Sequence, residues 1–465
     1  MTAKDYREEQ DLLGEKKIAN SSYSGIHTQR AYANFHFSSY AVNWRLIQAY
    51  ALIKRAAAEA NAELGYLEKK KAAAIIEACR LIEAGEYKDQ FRIDALQGGA
   101  GTSTNMNLNE VIANIALEKL GYAKGQYEYL NPLDDVNMHQ STNDTYPTAL
   151  RLALIRSLGE LEEEIEKLQG AFQKKEKEFF PLLKIGRTQL QEAVPFSLGA
   201  EFSAFSQAVA RDRWRVFKAR ERLRQANLGG TAIGTGIGAP RRYIFLVWEK
   251  IHTMSGVNLC RSENLIDATA NADSFTEASG ILKTHAVNLV KIANDLRRLS
   301  LLKEIKLPLY QAGSSLMPGK VNPVILEAAV QIGIKVRAND FIVSECAALG
   351  TFQINEFLPL LGFAFLESVD ILTGLNRALA EYIEKIEANA ENCSRYLYAT
   401  PRLVTAFLPE FGYHRLEKIL EEFRNSQEKG KNFLDFLERK LGKEKVAKRL
   451  NPYSVMSLGY ERENT

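Results

Sequence analysis

Cysteine is scarce and scattered. The chain has four, Cys79, Cys260, Cys346 and Cys393, with no CxxC pair among them, which argues against a disulfide framework and against a cysteine-ligated zinc site. A reduced, cytoplasmic setting is the expectation. Histidine is also sparse. His27, His36, His139, His252, His285 and His414 include no HExxH or other close pair, so no bound metal is expected, and only His139 adjoins a polar cluster suited to a site. Long apolar runs are missing too. The longest uncharged one, residues 357–366, spans about half a bilayer, is interrupted by Pro359 and Gly362, and is fenced by Glu356 and Glu367. It reads as buried core, and no membrane partner is expected. The N-terminal MTAKDYREEQDLLGE lacks the apolar stretch of a secretory signal. Excess charge of either sign is absent: 60 Lys and Arg against 57 Asp and Glu leave +3. No basic field for nucleic acid follows from that, and Lys69-Lys70-Lys71 reads as a solvated helix face. Strand signals are nearly absent, with no turn dipeptide between alternating runs.

What remains is helix. With 46% hydrophobic and 25% charged residues in 465, the composition is that of a soluble globular protein able to bury a large core. Residues 1–40 read as irregular. Helical spacing then appears over residues 44–63, 72–84 and around 110–120. The polar cluster HQSTNDTYP at 139–147 opens a longer helix with the apolar stripe Leu150, Leu154, Ile155, Leu158, Leu161, Ile165 and Leu168. Further helices are expected over 199–227, 263–300, 324–349 and 353–387, the last bent or broken near Pro359. The expected fold is all-α in the main, with a central bundle of very long helices. Three domains are expected: 1–140 mostly helical, 141–391 the long-helix bundle, and 392–465 a small helical module. Helices of thirty residues expose stripes that one chain cannot cover, so assembly with other copies is expected.

Between the helices lie polar loops. Gly313-Ser314-Ser315-Leu316-Met317-Pro318-Gly319-Lys320-Val321-Asn322-Pro323 mixes hydroxyls, a cation and an amide with glycine and proline. Proline and glycine exclude a helix there, and Pro323 suits the first turn of the next one, whose positive end would face whatever the loop covers. The segment reads as a lid over an anion, with Ser314 or Ser315 as a reacting hydroxyl and Lys320 as a carboxylate or phosphate partner. The plainer alternative is a solvated helix connection. QGGAGTSTNMN at 97–107 offers backbone N–H groups and hydroxyls for an anion or merely a turn and a helix cap. GRTQLQ at 186–191 and the glycine-rich 227–236 also punctuate the helices; no strand signal precedes the latter and no helix signal opens within it, so a nucleotide fingerprint is not expected.

GSSLMPGKVNP resembles the signature of the aspartase/fumarase superfamily, and the likeness runs from DLLGEKK to about residue 415. QGGAGTSTNMNLNEV, HQSTNDTYPTALR and KIGRTQLQEAVPFSLGAEF are more similar to its aspartate ammonia-lyase branch than to its fumarate hydratases, which usually carry histidine where this chain has Gln189. The resemblance implies reversible elimination of ammonia from L-aspartate to give fumarate, without a cofactor, in a homotetramer whose sites gather loops from three chains. It implies Ser314 as the base that removes the proton next to the departing amine. Ser315 would help hold the lid, and Lys320 and Asn322 would bind a substrate carboxylate. Thr102, Ser141, Thr142 and Thr188 match further carboxylate contacts, Asn143 a contact near the amine, and Glu327 the acidic residue behind the site. Removing that proton puts a second negative charge on the neighbouring carboxylate, so placed donors matter most, each worth about 3 kcal/mol.

The chain departs from the family pattern after Ser300, where it runs Leu301-Leu302-Lys303-Glu304-Ile305 in place of a Ser-Gly-Pro-Arg turn, and at Gly238 and Leu408. A hydratase, a lyase acting on a substituted aspartate, or a helical scaffold without turnover are the competing readings.

Overall fold

In the computed structural model, residues 5–426 and 432–459 are described, so the first four residues of the charged N-terminal stretch lie outside it. Part of the segment expected to be irregular forms a hairpin, β1 (Tyr6–Asp11) with β2 (Gly14–Ala19). Only Glu9 and Ile18 are buried in it, so no apolar alternation marks it. Opposite charges face each other instead, Glu8 against Lys17 and Glu9 against Lys16, and such pairs favour the register.

Helices follow: α1 (Ile26–Asn34), α2 (Trp44–Glu63), α3 (Lys69–Glu83) and α4 (Thr102–Lys119). α2 starts where expected because Asn43 caps it, its side chain accepting from Arg45 N at 2.9 Å. α4 begins well before residue 110 and includes Asn105, Asn107 and Asn109, poor helix formers. Residues 104–117 are buried without exception, and tertiary packing overrides propensity there. α5 (Thr142–Phe179) has 38 residues. Where only punctuation was expected, β3 (Leu183–Thr188) and β4 (Gln191–Ser197) form a second hairpin.

α6 (Leu198–Arg222), β5 (Gln225–Ala226), α7 (Arg241–Ser255), β6 (Cys260–Arg261), α8 (Leu265–Ala270) and α9 (Asp273–Leu301) come next. One helix was expected over 263–300; α8 and α9 divide it. β7 (Ile305–Lys306), α10 (Val324–Ala348), α11 (Leu358–Glu384), β8 (Glu387–Ala388) and α12 (Ala390–Ala399) lead to short helices between Leu408 and Met456. Pro359 sits in the first turn of α11, not at a bend within it, where its missing N–H leaves no intrahelical bond unmade. α11 is the one described helix long and apolar enough to cross a membrane, and 67% of its most apolar window is buried inside the protein.

Two compact units emerge. The first comprises residues 1–162, 214–286 and 334–373, the second 163–213, 287–333 and 374–465. The division falls within α5, α6, α9, α10 and α11. In the first unit, α2 packs on α3 and α7, and α3 on α4. In the second, Leu183 and Ile185 of β3 join Leu397, Phe407, Phe433 and Phe436 in a core that holds the C-terminal helices.

Candidate active site

The first unit brings two of the polar clusters together. Gly99, Ala100 and Gly101 all have positive φ (81°, 55° and 90°) and turn the chain into α4 at Thr102. A Cβ on Gly101 would overlap the ring of Tyr146 in α5, so glycine is required for these helix starts to meet. Asn105 Nδ2 donates to Thr142 Oγ1 at 2.9 Å across the same junction.

Ser141 and Asp144 form a capping box at the start of α5. Ser141 Oγ accepts from Asn143 N at 3.2 Å, and Asp144 Oδ1 accepts from Ser141 N at 3.0 Å. Asp144 Oδ2 accepts from Gly229 N at 3.0 Å and Thr231 N at 2.9 Å, which pins the glycine-rich loop beside the cluster. Asn143 Nδ2 donates to Ala232 O at 2.7 Å. Pro147, lacking an N–H, leaves the carbonyl of Asn143 without its helical donor, and Asn227 Nδ2 supplies one at 3.0 Å. Ser141 and Thr142 oxygens therefore accept from the protein, while their hydroxyl hydrogens have no acceptor among the described residues. Two hydrogens are left for an anion. Thr102 is exposed one turn away from Asn105.

Beneath this surface lie two ionisable groups. Burial pushes the Asp144 carboxyl up to about 7, opposed by its three backbone donors and by Lys54. Burial likewise brings Lys54 down to about 7, opposed by Asp144. Lys54 Nζ donates to Asn137 Oδ1 at 2.8 Å. His139, at φ 61°, meets Asn61 Oδ1 through Nδ1 at 2.7 Å and lies against the rings of Tyr66 and Tyr243. It supports the turn before the cluster, and burial lowers its pKa.

The remaining candidates lie in the second unit. Thr188 ends β3, and the turn that follows is Gln189 and Leu190, both exposed and both at positive φ (51° and 63°). A two-residue turn of this handedness favours Asn-Gly, so this one is strained, as turns at binding sites often are. Lys184 and Arg187 of β3 both meet the fully buried Glu304, at 2.8 and 2.7 Å. The segment 301–305 that follows Ser300 thus contains the carboxylate anchoring this hairpin.

Ser314 Oγ accepts from Leu316 N at 3.1 Å and Met317 N at 2.8 Å. Two N–H groups on one serine oxygen form a local turn, and the same donors would favour a negative charge on that oxygen. The loop is closed at its base, where Gly313 N donates to Lys320 O at 2.7 Å and Asn322 Nδ2 to Gly313 O at 3.1 Å. Ser315 and Lys320 are exposed, and Asn322 is half-buried with its amide engaged in the closure. Glu327 is half-buried in the first turn of α10; burial raises the Tyr382 phenol, with smaller contributions from Tyr310 and Glu327. Among the described residues no hydrogen bond joins the loop to the hairpin.

Sequence reasoning missed Asp144, Asn105, Lys54, Asn227 and Glu304. Asp144 carried a signal, the Ser-x-x-Asp spacing of a capping box. Lys54, inside an alanine-rich helix, carried none. Among the described residues no group of three or more His, Cys, Asp or Glu is placed to hold a metal ion.

Comparison with known proteins gives this geometry a context. A model of the lyase family matches residues 14–338. An aspartate ammonia-lyase of Pseudomonas fluorescens is 45% identical over 445 residues, covering 94% of this chain and 92% of that protein. A solved structure described as fumarate lyase:delta crystallin from Brucella melitensis, bound to cobalt, has a TM-score of 0.92 at 44% identity, covering 96% of this chain and 98% of that one. A class II fumarase from Schistosoma mansoni shares the fold at TM-score 0.90 but only 28% identity, covering 97% and 99%.

Proposed function

The chain belongs to the lyase family that its residues 14–338 match, and on that premise we propose that it eliminates ammonia reversibly from L-aspartate to give fumarate. The observation that carries this reading is the near-complete likeness to an aspartate ammonia-lyase at 45% identity. The likeness to a fumarase is much weaker in sequence than in fold.

The geometry supports a mechanism. Ser314, as an alkoxide stabilised by Leu316 N and Met317 N, takes a proton from the carbon beside a carboxylate. That carboxylate becomes an aci-form with two negative charges. The electron pair then forms the double bond as the carbon–nitrogen bond of the neighbouring carbon breaks, and ammonia leaves. Hydroxyl hydrogens of Ser141 and Thr142, with Thr102, Thr188 and Lys320, would hold the two carboxylates, and Asn143 would lie near the amine. A serine is a poor base in water, so the loop must close over the substrate and exclude it. Thr102, Thr188, Ser315 and Lys320 are exposed in one chain, which supports sites completed by neighbouring copies in a homotetramer. The four unpaired cysteines support a cytoplasmic setting.

Purified protein given L-aspartate should raise ultraviolet absorbance as fumarate forms, and L-malate should be the poorer substrate. Malate outperforming aspartate would overturn the assignment. Ser314→Ala should lower kcat by about a thousandfold or more with the oligomer intact, in line with loss of a group acting in the chemical step. An unchanged rate would remove Ser314 as the base.

A further inference from the structure

A hydroxyl binds a carboxylate only when its hydrogen faces that carboxylate, and the group on the other side of the oxygen decides this. Thr142 is 8% exposed, and the only group on its Oγ1 among the described residues is the Asn105 amide at 2.9 Å. Amide oxygen and nitrogen have the same shape, so this contact alone does not fix which of them faces Thr142. Asn137 does. One arm of its amide lies 3.1 Å from the carbonyl of Gln140, which can only accept, so that arm is Nδ2. The other arm is therefore Oδ1, which agrees with the amino group of buried Lys54 donating to it at 2.8 Å. Asn105 meets this same oxygen at 3.2 Å and so must present its nitrogen there. That nitrogen also reaches Thr142 Oγ1. Both its hydrogens are used, while Asn105 Oδ1 is buried without a donor among the described residues. The side chain is held for what it donates.

We propose that Asn105 is a positioning residue for the reaction: its amide, oriented through Asn137 by Gln140 and Lys54, turns the Thr142 hydroxyl hydrogen outward to a substrate carboxylate. This rests on the ammonia-lyase reading above. Asn105 touches no reacting atom and acts through Thr142. A carboxylate therefore meets a hydroxyl already pointed at it, and no bond has to be broken on binding.

The test uses the full-length protein with L-aspartate, followed by fumarate absorbance. Asn105→Ala should raise KM and lower kcat/KM about 10- to 100-fold, the range for losing support to a charge-assisted hydrogen bond. Asn105→Asp keeps the shape but presents an acceptor, which turns the hydroxyl hydrogen inward, and it should lose at least as much. Asn107→Ala removes another buried amide of α4, bonded to Gln90 O at 3.2 Å, and should lower Tm while leaving KM within about twofold. Adding Asn105→Ala to Thr142→Val should cost little beyond Thr142→Val alone. Wild-type KM in Asn105→Asp, or an equal rise of KM in Asn107→Ala, would overturn the proposal. Should the Asn105 variants not fold, an unchanged KM in Thr142→Val would overturn it as well. Failure of the wild-type protein to act on aspartate would instead remove the ammonia-lyase reading.

Discussion

Three backbone N–H groups converge on one buried carboxyl, Asp144, from Ser141 on one side and from Gly229 and Thr231 on the other. All three favour the ionised form, yet burial outweighs them and holds the group near 7, above the 3.8 of an unperturbed aspartate. A carboxyl raised in the folded state binds its proton more tightly there than in the unfolded chain. Its contribution to stability is therefore full below about pH 4 and is lost as the pH rises to about 7. Asp144→Asn puts an amide N–H against backbone N–H groups on one side and should cost about 1–3 kcal/mol. It should also abolish this pH dependence. Thermal melts from pH 4 to 7 should show the Tm gap between wild type and Asp144→Asn shrinking as the pH rises. Parallel curves would mean that the carboxyl does not titrate in the folded protein.

The loop at 313–322 carries the proposed base, and Gly313 is its constriction. A Cβ there would come within 2.8 Å of Asn322 N and 2.9 Å of Lys320 O, both backbone atoms that cannot swing aside. Gly313→Ala should force the base of the loop open and move Ser314 relative to its site. Because the loop is largely exposed, Tm should change little while kcat falls about tenfold or more. A normal kcat at normal Tm would show that this closure is not needed. The loop was legible in the sequence because glycine, proline and hydroxyls between helical periods have few other uses. α2 was legible because helical period and an alanine-rich composition coincide there, and the Asn43 cap found in the structure agrees with its start. The hairpins were not. β1 and β2 pair by charge, with almost no apolar face, and β3 and β4 turn through Gln189 and Leu190 with no turn dipeptide between them. The support under the site was hidden for another reason. Asn105 and Lys54 sit inside helices, and their meaning lies in partners 37 and 83 positions along the chain.

At the scale of the whole molecule, the chemistry and the surface make the same demand. The proposed serine base needs a dry site, but one chain leaves Ser315, Lys320, Thr102 and Thr188, the residues proposed to join it, in solvent. The same chain leaves large apolar side chains uncovered, with Trp214 of α6 63% exposed and Ile334 and Phe341 of α10 54% and 65% exposed. Ile334, Ala338 and Phe341 recur at spacings of four and three, so they share one face of α10. A helix apolar on a face turned to water is normally covered by a partner, and in the proposed homotetramer that partner is another copy. Phe341→Asp places a charge in the middle of this face, and burying it unpaired would cost several kcal/mol per interface. Light scattering should then find species smaller than four chains, and fumarate formation should fall in proportion, with helical circular dichroism preserved. Smaller species retaining full activity per chain would show that each site is complete within one chain. A full-size, fully active assembly would show that this face is not where the copies meet.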